Sequence, residues 1–247
     1  MILQAVILLG GQGTRLAAHF PDLPKCLVPV GGRPFLEWQL DWLKMNGIRQ
    51  VLLAAGHKAE VLEKHLADRK PDGLETILSR EPAPLGTGGA LKFVEPRFVT
   101  DPVLVLNGDS LVPNLNFSTV WKKVFHSVEK NGEVFHGVEK SFPQYGKLFV
   151  APIEASGRYG TVEFAADGVV TAFREKAERA AGFVNTGIYI LPRALIAAIP
   201  AGRVVSIETE VFPGLAAEKK LLALPVSPPL LDMGTPDGLA ALDAFLR

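Results

Sequence analysis

An apolar run of strand length at residues 2–8 leads directly into Leu9-Gly10-Gly11-Gln12-Gly13-Thr14-Arg15-Leu16, and Pro24-Lys25 follows. No other stretch constrains the chain as strongly. A buried strand that ends in glycines, with two cations close behind, is the opening unit of an α/β protein built to hold an anion. The three glycines can take positive φ and bring backbone N–H groups against a phosphate, while Arg15 and Lys25 add fixed positive charge. A triphosphate is the expected ligand. Two commoner phosphate loops are excluded. Counted from Gly11, the G-x-G-x-x-G/A pattern places Leu16 at its sixth position, where a large side chain spoils helix–strand packing. No G-x-x-x-x-G-K-[ST] occurs anywhere in the chain, which argues against a Walker-type kinase or ATPase.

The periodicity behind this loop repeats. Apolar runs at 2–9, 51–55, 74–78 and 103–106 have strand length, and helical spacing at 34–45, 60–66 and 89–93 separates them. Within 34–45, Phe35, Leu36, Trp38, Leu40, Trp42 and Leu43 carry that spacing; Pro34 suits the first turn and Gly47 the exit. Doubly buried strands alternating with helices predict βαβ units, a parallel sheet and ligands beyond the carboxyl ends of the strands. The glycine loop and Asn107-Gly108-Asp109 both sit at such ends. The second half is less regular. Strands at 161–164, 169–173 and 183–191, with turns at Asp167-Gly168 and around Gly182, predict a partly antiparallel lobe over the sheet. Thr235 is the expected N-cap of a last helix through 239–246, with Pro236 in its first position. The fold class expected is therefore α/β: a Rossmann-like mixed, mainly parallel sheet flanked by helices, with a small partly antiparallel lobe, in one domain over 1–247. Residues 124–130 nearly recur as 134–140, a local duplication too short for a repeat fold.

Composition narrows the function classes. Lys+Arg and Asp+Glu number 26 each, so no whole-molecule field favours nucleic acid or an anionic membrane, and phosphate affinity must be local. The apolar start lacks a charged n-region and a cleavage site, so it does not read as a signal peptide; no run approaches the ~20 residues of a membrane span. The lone Cys26 excludes an intrachain disulfide and reads as a small buried hydrophobe. The histidines His19, His57, His65, His126 and His136 show no metal-ligand spacing. A cytoplasmic protein, monomeric or homodimeric, is expected.

Asp109 ends the strand at 103–106 through Asn107-Gly108, and Asp232 follows Pro229-Leu230-Leu231. Both are hard oxygen ligands at loop positions. Two carboxylates completed by substrate phosphates is how Mg²⁺ is usually held, because that ion keeps several waters and rarely takes an all-protein cage.

These pieces, with Leu85-Gly86-Thr87-Gly88-Gly89-Ala90, Arg158-Tyr159-Gly160-Thr161-Val162, Glu175-Lys176, Asn185-Thr186-Gly187-Ile188-Tyr189 and Asp232-Met233-Gly234-Thr235-Pro236, resemble the sugar-1-phosphate nucleotidyltransferases in order and over nearly the whole chain. The poorest match lies between Ser110 and Ser156. The resemblance implies transfer of a nucleoside monophosphate from an NTP to a sugar 1-phosphate, Mg²⁺ as cofactor, and a place in nucleotide-sugar supply for cell-surface polysaccharides. It makes Arg15, Lys25 and Asp109 catalytic. Leu9, Gly10, Gly11, Gly13, Thr14, Arg15, Glu81, Gly86, Thr87 and Gly108 bind the nucleotide, and Gly160, Glu175, Lys176, Asn185 and Thr186 the sugar phosphate; Asp109 and Asp232 hold the metal. Short length and the 84–90 loop look most like the heptose 1-phosphate guanylyltransferases, with uridylyl transfer to N-acetylmuramate 1-phosphate as the alternative. Glu81 falls where the family meets the base edge, and an acceptor-only carboxylate suits the N1–H and 2-amino donors of guanine, though uracil also offers one imide donor. Two rival readings stay open, a cytidylyltransferase of the molybdopterin or methylerythritol type and a non-catalytic sugar-nucleotide sensor.

Overall fold

The computed structural model describes the chain except residues 1–3, 12–15, 17–18, 70–72, 118–128, 131–132, 135–143, 155–159 and 175–180, with backbone alone at 129–130, 133–134 and 174. β1 (Gln4–Leu9) buries all six of its residues. After the loop come the short hairpin of β2 (Pro29–Val30) and β3 (Arg33–Pro34), α1 (Phe35–Met45), β4 (Gln50–Ala55), α2 (Ala59–Asp68), β5 (Glu75–Arg80), α3 (Gly86–Val94) and β6 (Val103–Asn107). β1, β4, β5 and β6 pair in parallel, as the βαβ reading requires. Pro34 is the N-cap residue of α1, one position before the helical turn expected for it, and Gly47 leaves the helix at φ +84°.

One boundary changes the reading of the site. α3 starts at Gly86 and not at 89, so the Gly86-Thr87-Gly88-Gly89 stretch is a helical first turn and not an open loop. The N–H groups of Gly88 and Gly89, which a helix start leaves unpaired, donate to the Val205 carbonyl at 2.9 and 3.3 Å, and the Val205 N–H donates back to Leu85 O at 2.8 Å.

The remaining elements are β7 (Ser110–Leu111), the ladder of β8 (Glu129–Lys130) with β9 (Glu133–Val134), β10 (Gly146–Ile153), β11 (Thr161–Phe164), β12 (Val170–Arg174), β13 (Gly182–Leu191), α4 (Arg193–Ala197), a π-helical turn Ile207–Val211, α5 (Phe212–Ala217), β14 (Leu221–Pro225), β15 (Leu231–Asp232) and α6 (Pro236–Leu246). The main sheet has nine strands, in the order β12-β11-β13-β6-β1-β4-β5, with β10 and β14 branching from β13. It is mixed and mainly parallel on the nucleotide side. The antiparallel strands continue this sheet edge to edge instead of lying over it, because β13 takes up the otherwise open edge of β6. Apart from β8 and β9, the duplicated segment at 124–140 lies outside the described residues. Thr235 caps α6 as expected, its hydroxyl accepting the Gly238 N–H at 3.1 Å.

Both faces of the sheet are covered. Ile7, Leu53, Leu106 and Ile190 pack against Phe35, Leu36, Leu40 and Leu43 of α1 and against α6; Val6, Leu8, Leu52 and Val105 pack against Leu91 and Val94 of α3 and Phe212 of α5. This is why β1 and β4 read as unbroken apolar runs with no alternation. Among the described residues no helix is long and apolar enough to cross a membrane.

Candidate active site

A cavity of about 440 Å³ opens at the carboxyl ends of β1, β5 and β6. Of the residues expected there, Leu9, Gly10, Gly11, Lys25, Glu81, Gly86, Thr87, Gly108 and Asp109 line it. Gly13, Thr14, Arg15, Glu175 and Lys176 lie outside the described residues. Cys26 lines the cavity too, but burial pushes its thiol up to about 12, so at neutral pH it carries no thiolate nucleophile.

The charged centre is built by three backbone segments. Lys25, on the short 3₁₀ turn Lys25–Leu27, places Nζ 2.6 Å from Asp109 Oδ2, and the Ser110 hydroxyl donates to Asp109 Oδ1 at 3.1 Å. The Asn107-Gly108-Asp109 turn is held from below by Gln39 of α1, a buried polar residue whose Nε2 donates to the carbonyls of Asn107 and Ser110, both at 3.0 Å. Asp232 reaches the same place through the β7–β15 ladder, in which it pairs with Ser110 and the Met233 N–H donates to Asp109 O at 2.9 Å. Its own Oδ1 accepts the Gly234 N–H. The two aspartates are thus neighbours across a two-strand ladder, with the Lys25 ammonium beside them. Their donor set, two carboxylates with room left for phosphate oxygens, fits Mg²⁺; among the described residues no group of three or more His, Cys, Asp or Glu forms a protein-only metal cage.

Glu81 stands at the opposite wall. It follows β5, its N–H donates to Ala55 O at 2.8 Å, and its side chain lies against Gly10, where an added Cβ would sit 2.7 Å from Oε1. Oε2 accepts the Leu85 N–H at 3.2 Å, whereas Oε1 is buried with no partner among the described residues. Burial raises the Glu81 carboxyl pKa, and the Leu85 N–H opposes only part of that rise. A buried acceptor left open costs free energy that a ligand donor can recover.

The glycine at 86 serves packing. Its φ is +70°, and an added Cβ would lie 2.5 Å from Val205 O. Gly86→Ala is therefore expected to lower unfolding stability by about 2 kcal/mol, combining left-handed strain with a backbone clash. Thermal unfolding measures it, with Gly11→Ala as control, since a Cβ there meets no described residue within 4 Å.

The sugar-side residues separate. β13 carries a bulge opposite Leu148 and Val150 of β10, in which Gly187 takes φ +75° with the Asn107 side chain packed where its Cβ would be. The bulge re-aims Asn185, whose Oδ1 accepts the Gly187 N–H at 2.8 Å and whose Nδ2 donates to the Tyr189 hydroxyl at 2.9 Å. Thr186 is not brought to the cavity. It is buried and its hydroxyl donates to Phe149 O at 2.9 Å on the neighbouring strand. Gly160 precedes β11, and it, Asn185 and Asp232 do not line the cavity itself. Gln39 and Glu208 were not singled out from the sequence. Gln39 sits on a helix face otherwise apolar, which was a usable signal; nothing local marks Glu208.

A Rossmann-like mixed sheet, a glycine loop at the end of its first strand and an ammonium–carboxylate centre that shares a cavity with a buried, half-open carboxylate define a nucleotide-handling α/β protein. The chain belongs to the nucleotidyl transferase family, whose model matches residues 4–247. It is 32% identical over 235 residues to the D-glycero-alpha-D-manno-heptose 1-phosphate guanylyltransferase of Aneurinibacillus thermoaerophilus, covering 95% of this chain and 94% of that one. It is 34% identical to the mannose-1-phosphate guanylyltransferase catalytic subunit beta of Drosophila melanogaster over 98% of its own length but 63% of that protein's. The crystal structure of HddC from Yersinia pseudotuberculosis superposes with a TM-score of 0.82 at 25% identity, each chain fully covered, and its complex with GMP-PN with 0.81.

Proposed function

We propose that this nucleotidyltransferase moves the guanylyl group of GTP onto a sugar 1-phosphate, with a heptose 1-phosphate as the sugar, forming a GDP-sugar and releasing pyrophosphate. The observation that carries the reading is the unpartnered, buried Glu81 Oε1 in the same cavity as the Lys25–Asp109 pair. The sugar 1-phosphate is largely a dianion at neutral pH, so its oxygen attacks the α-phosphorus without a protein base while the bond to pyrophosphate breaks. What remains for the protein is positioning and charge neutralisation. Lys25 faces the α-phosphate and the incoming phosphate, and Arg15 the triphosphate and departing pyrophosphate. Lys176 holds the sugar phosphate, while Glu175, Asn185 and the backbone at Gly160 meet the sugar. Asp109 and Asp232 would hold Mg²⁺, which when bound neutralises phosphate charge. The protein then acts in the cytoplasm, supplying activated sugar for cell-surface polysaccharide.

Pyrophosphate release over a matrix of four nucleoside triphosphates with heptose, mannose, glucose and N-acetylmuramate 1-phosphates tests the assignment. GTP with the heptose phosphate is the expected best pair. Mannose 1-phosphate as the better acceptor replaces the sugar assignment; UTP or dTTP used as well as GTP overturns the guanylyl reading.

Glu81 adds a pH signature. Because its pKa is raised on folding, its protonated form adds stability to the ligand-free protein that is complete below the unfolded carboxyl's pKa and lost as pH rises through the folded one. Guanine donors need the ionised form, so GTP affinity is expected to tighten over that same rise. Glu81→Gln should flatten the dependence and reduce the preference for GTP over UTP about 10- to 30-fold. Calorimetric titration across the acid range decides it: an unchanged profile in Glu81→Gln removes Glu81 from the base site.

A further inference from the structure

We propose that Glu208 is a positioning residue that sets the spacing between the nucleotide and sugar halves of the site, through Thr87 on one side and Tyr189 with Asn185 on the other; this rests on the function proposed above. Glu208 lies in the π-helical turn Ile207–Val211, a rare local geometry that recurs where a side chain must be aimed. Its Oε2 accepts the Thr87 hydroxyl at 2.6 Å and the Ser206 hydroxyl at 3.2 Å, and its Oε1 faces the Tyr189 hydroxyl at 3.5 Å. Thr87 in turn accepts the Ile207 N–H at 2.9 Å, which clamps the turn onto the start of α3. On the far side, buried Tyr189 receives the Asn185 amide at 2.9 Å, and the side chain of Asn107, which opens the turn ending in Asp109, packs against Gly187 of the same strand.

One carboxylate therefore links the helix start that lines the nucleotide cavity to the bulged strand that presents Asn185. Its charge is unsuited to contacting phosphate, since a carboxylate beside a triphosphate repels it; its value lies in accepting several hydroxyl donors at once. Glutamine replaces it poorly: an amide has one acceptor oxygen, and its NH₂ forces a hydroxyl that donates to the carboxylate to turn and accept instead. The burial and the rising charge cost on Tyr189, whose pKa lies well above its ordinary value beside Glu208, keep that hydroxyl protonated and donating.

The test is a double-mutant cycle on kcat with whichever substrate pair the wild-type enzyme uses best. Thr87→Val and Tyr189→Phe preserve volume, and each is expected to lower kcat about tenfold, with the double variant also losing only about tenfold because both act through one carboxylate. In a Glu208→Gln background neither should add more than about twofold. Melting temperatures are followed throughout. Losses that multiply to about a hundredfold in the double variant, losses that track melting temperature, or a fully active Glu208→Gln each overturn the proposal. The substrate matrix decides the guanylyl and heptose assignment separately, so the two failures are distinguishable.

Discussion

Asp109→Asn and Asp232→Asn are each expected to cut turnover by at least ~10²-fold, about 2.7 kcal/mol of transition-state stabilisation. The substitution keeps size and an acceptor oxygen, so the Ser110 and Gly234 donors that hold these side chains still find a partner and the ladder of β7 with β15 persists. Only the charge is lost. Because Asp109 also pairs with Lys25 at 2.6 Å, its variant weakens that ion pair as well. Turnover measured across a Mg²⁺ titration is the readout, with melting temperature as the check on folding. More than a tenth of wild-type turnover in either variant sinks the metal assignment.

Lys25→Ala is expected to depress kcat by roughly 10²–10³-fold while KM for either substrate moves only a few-fold. The ammonium sits at the mouth of the Asn107-Gly108-Asp109 turn, on the cavity wall, and the proposed function brings the α-phosphorus to it. A cation there gains most when negative charge redistributes over the reacting phosphates, which is the transition state and not the ground state. The resting Lys25–Asp109 pair also keeps the ammonium aimed before substrate arrives. Steady-state kinetics with both substrates varied distinguish the cases: a raised KM with kcat preserved would make Lys25 a ground-state binding residue.

Much of this architecture was legible locally. The unbroken apolar runs at β1, β4 and β6 have one reading in a chain this long, strands covered on both faces, and the Thr235-Pro236 cap is a side-chain event within four residues. The helix start at Gly86 was not legible because glycine marks any close backbone approach; that one approaching group is the Val205 carbonyl, far along the chain, is not written in the stretch itself. The burial of the Thr186 side chain was hidden for a related reason. On a strand the direction of a side chain follows from register, and the β13 bulge shifts that register by pairing with β10.

Strand and helix order, the anion loop at the end of β1 and the residue types of the charged centre follow from patterns spanning at most a dozen residues, since each rests on period, charge or φ preference. The meeting of Asp232 with Asp109, the open Oε1 of Glu81 against Gly10 and the Thr87–Glu208–Tyr189 link arise only in the folded chain. Each depends on hydrogen-bond register or burial between segments remote in sequence, and neither quantity exists until the sheet closes around them.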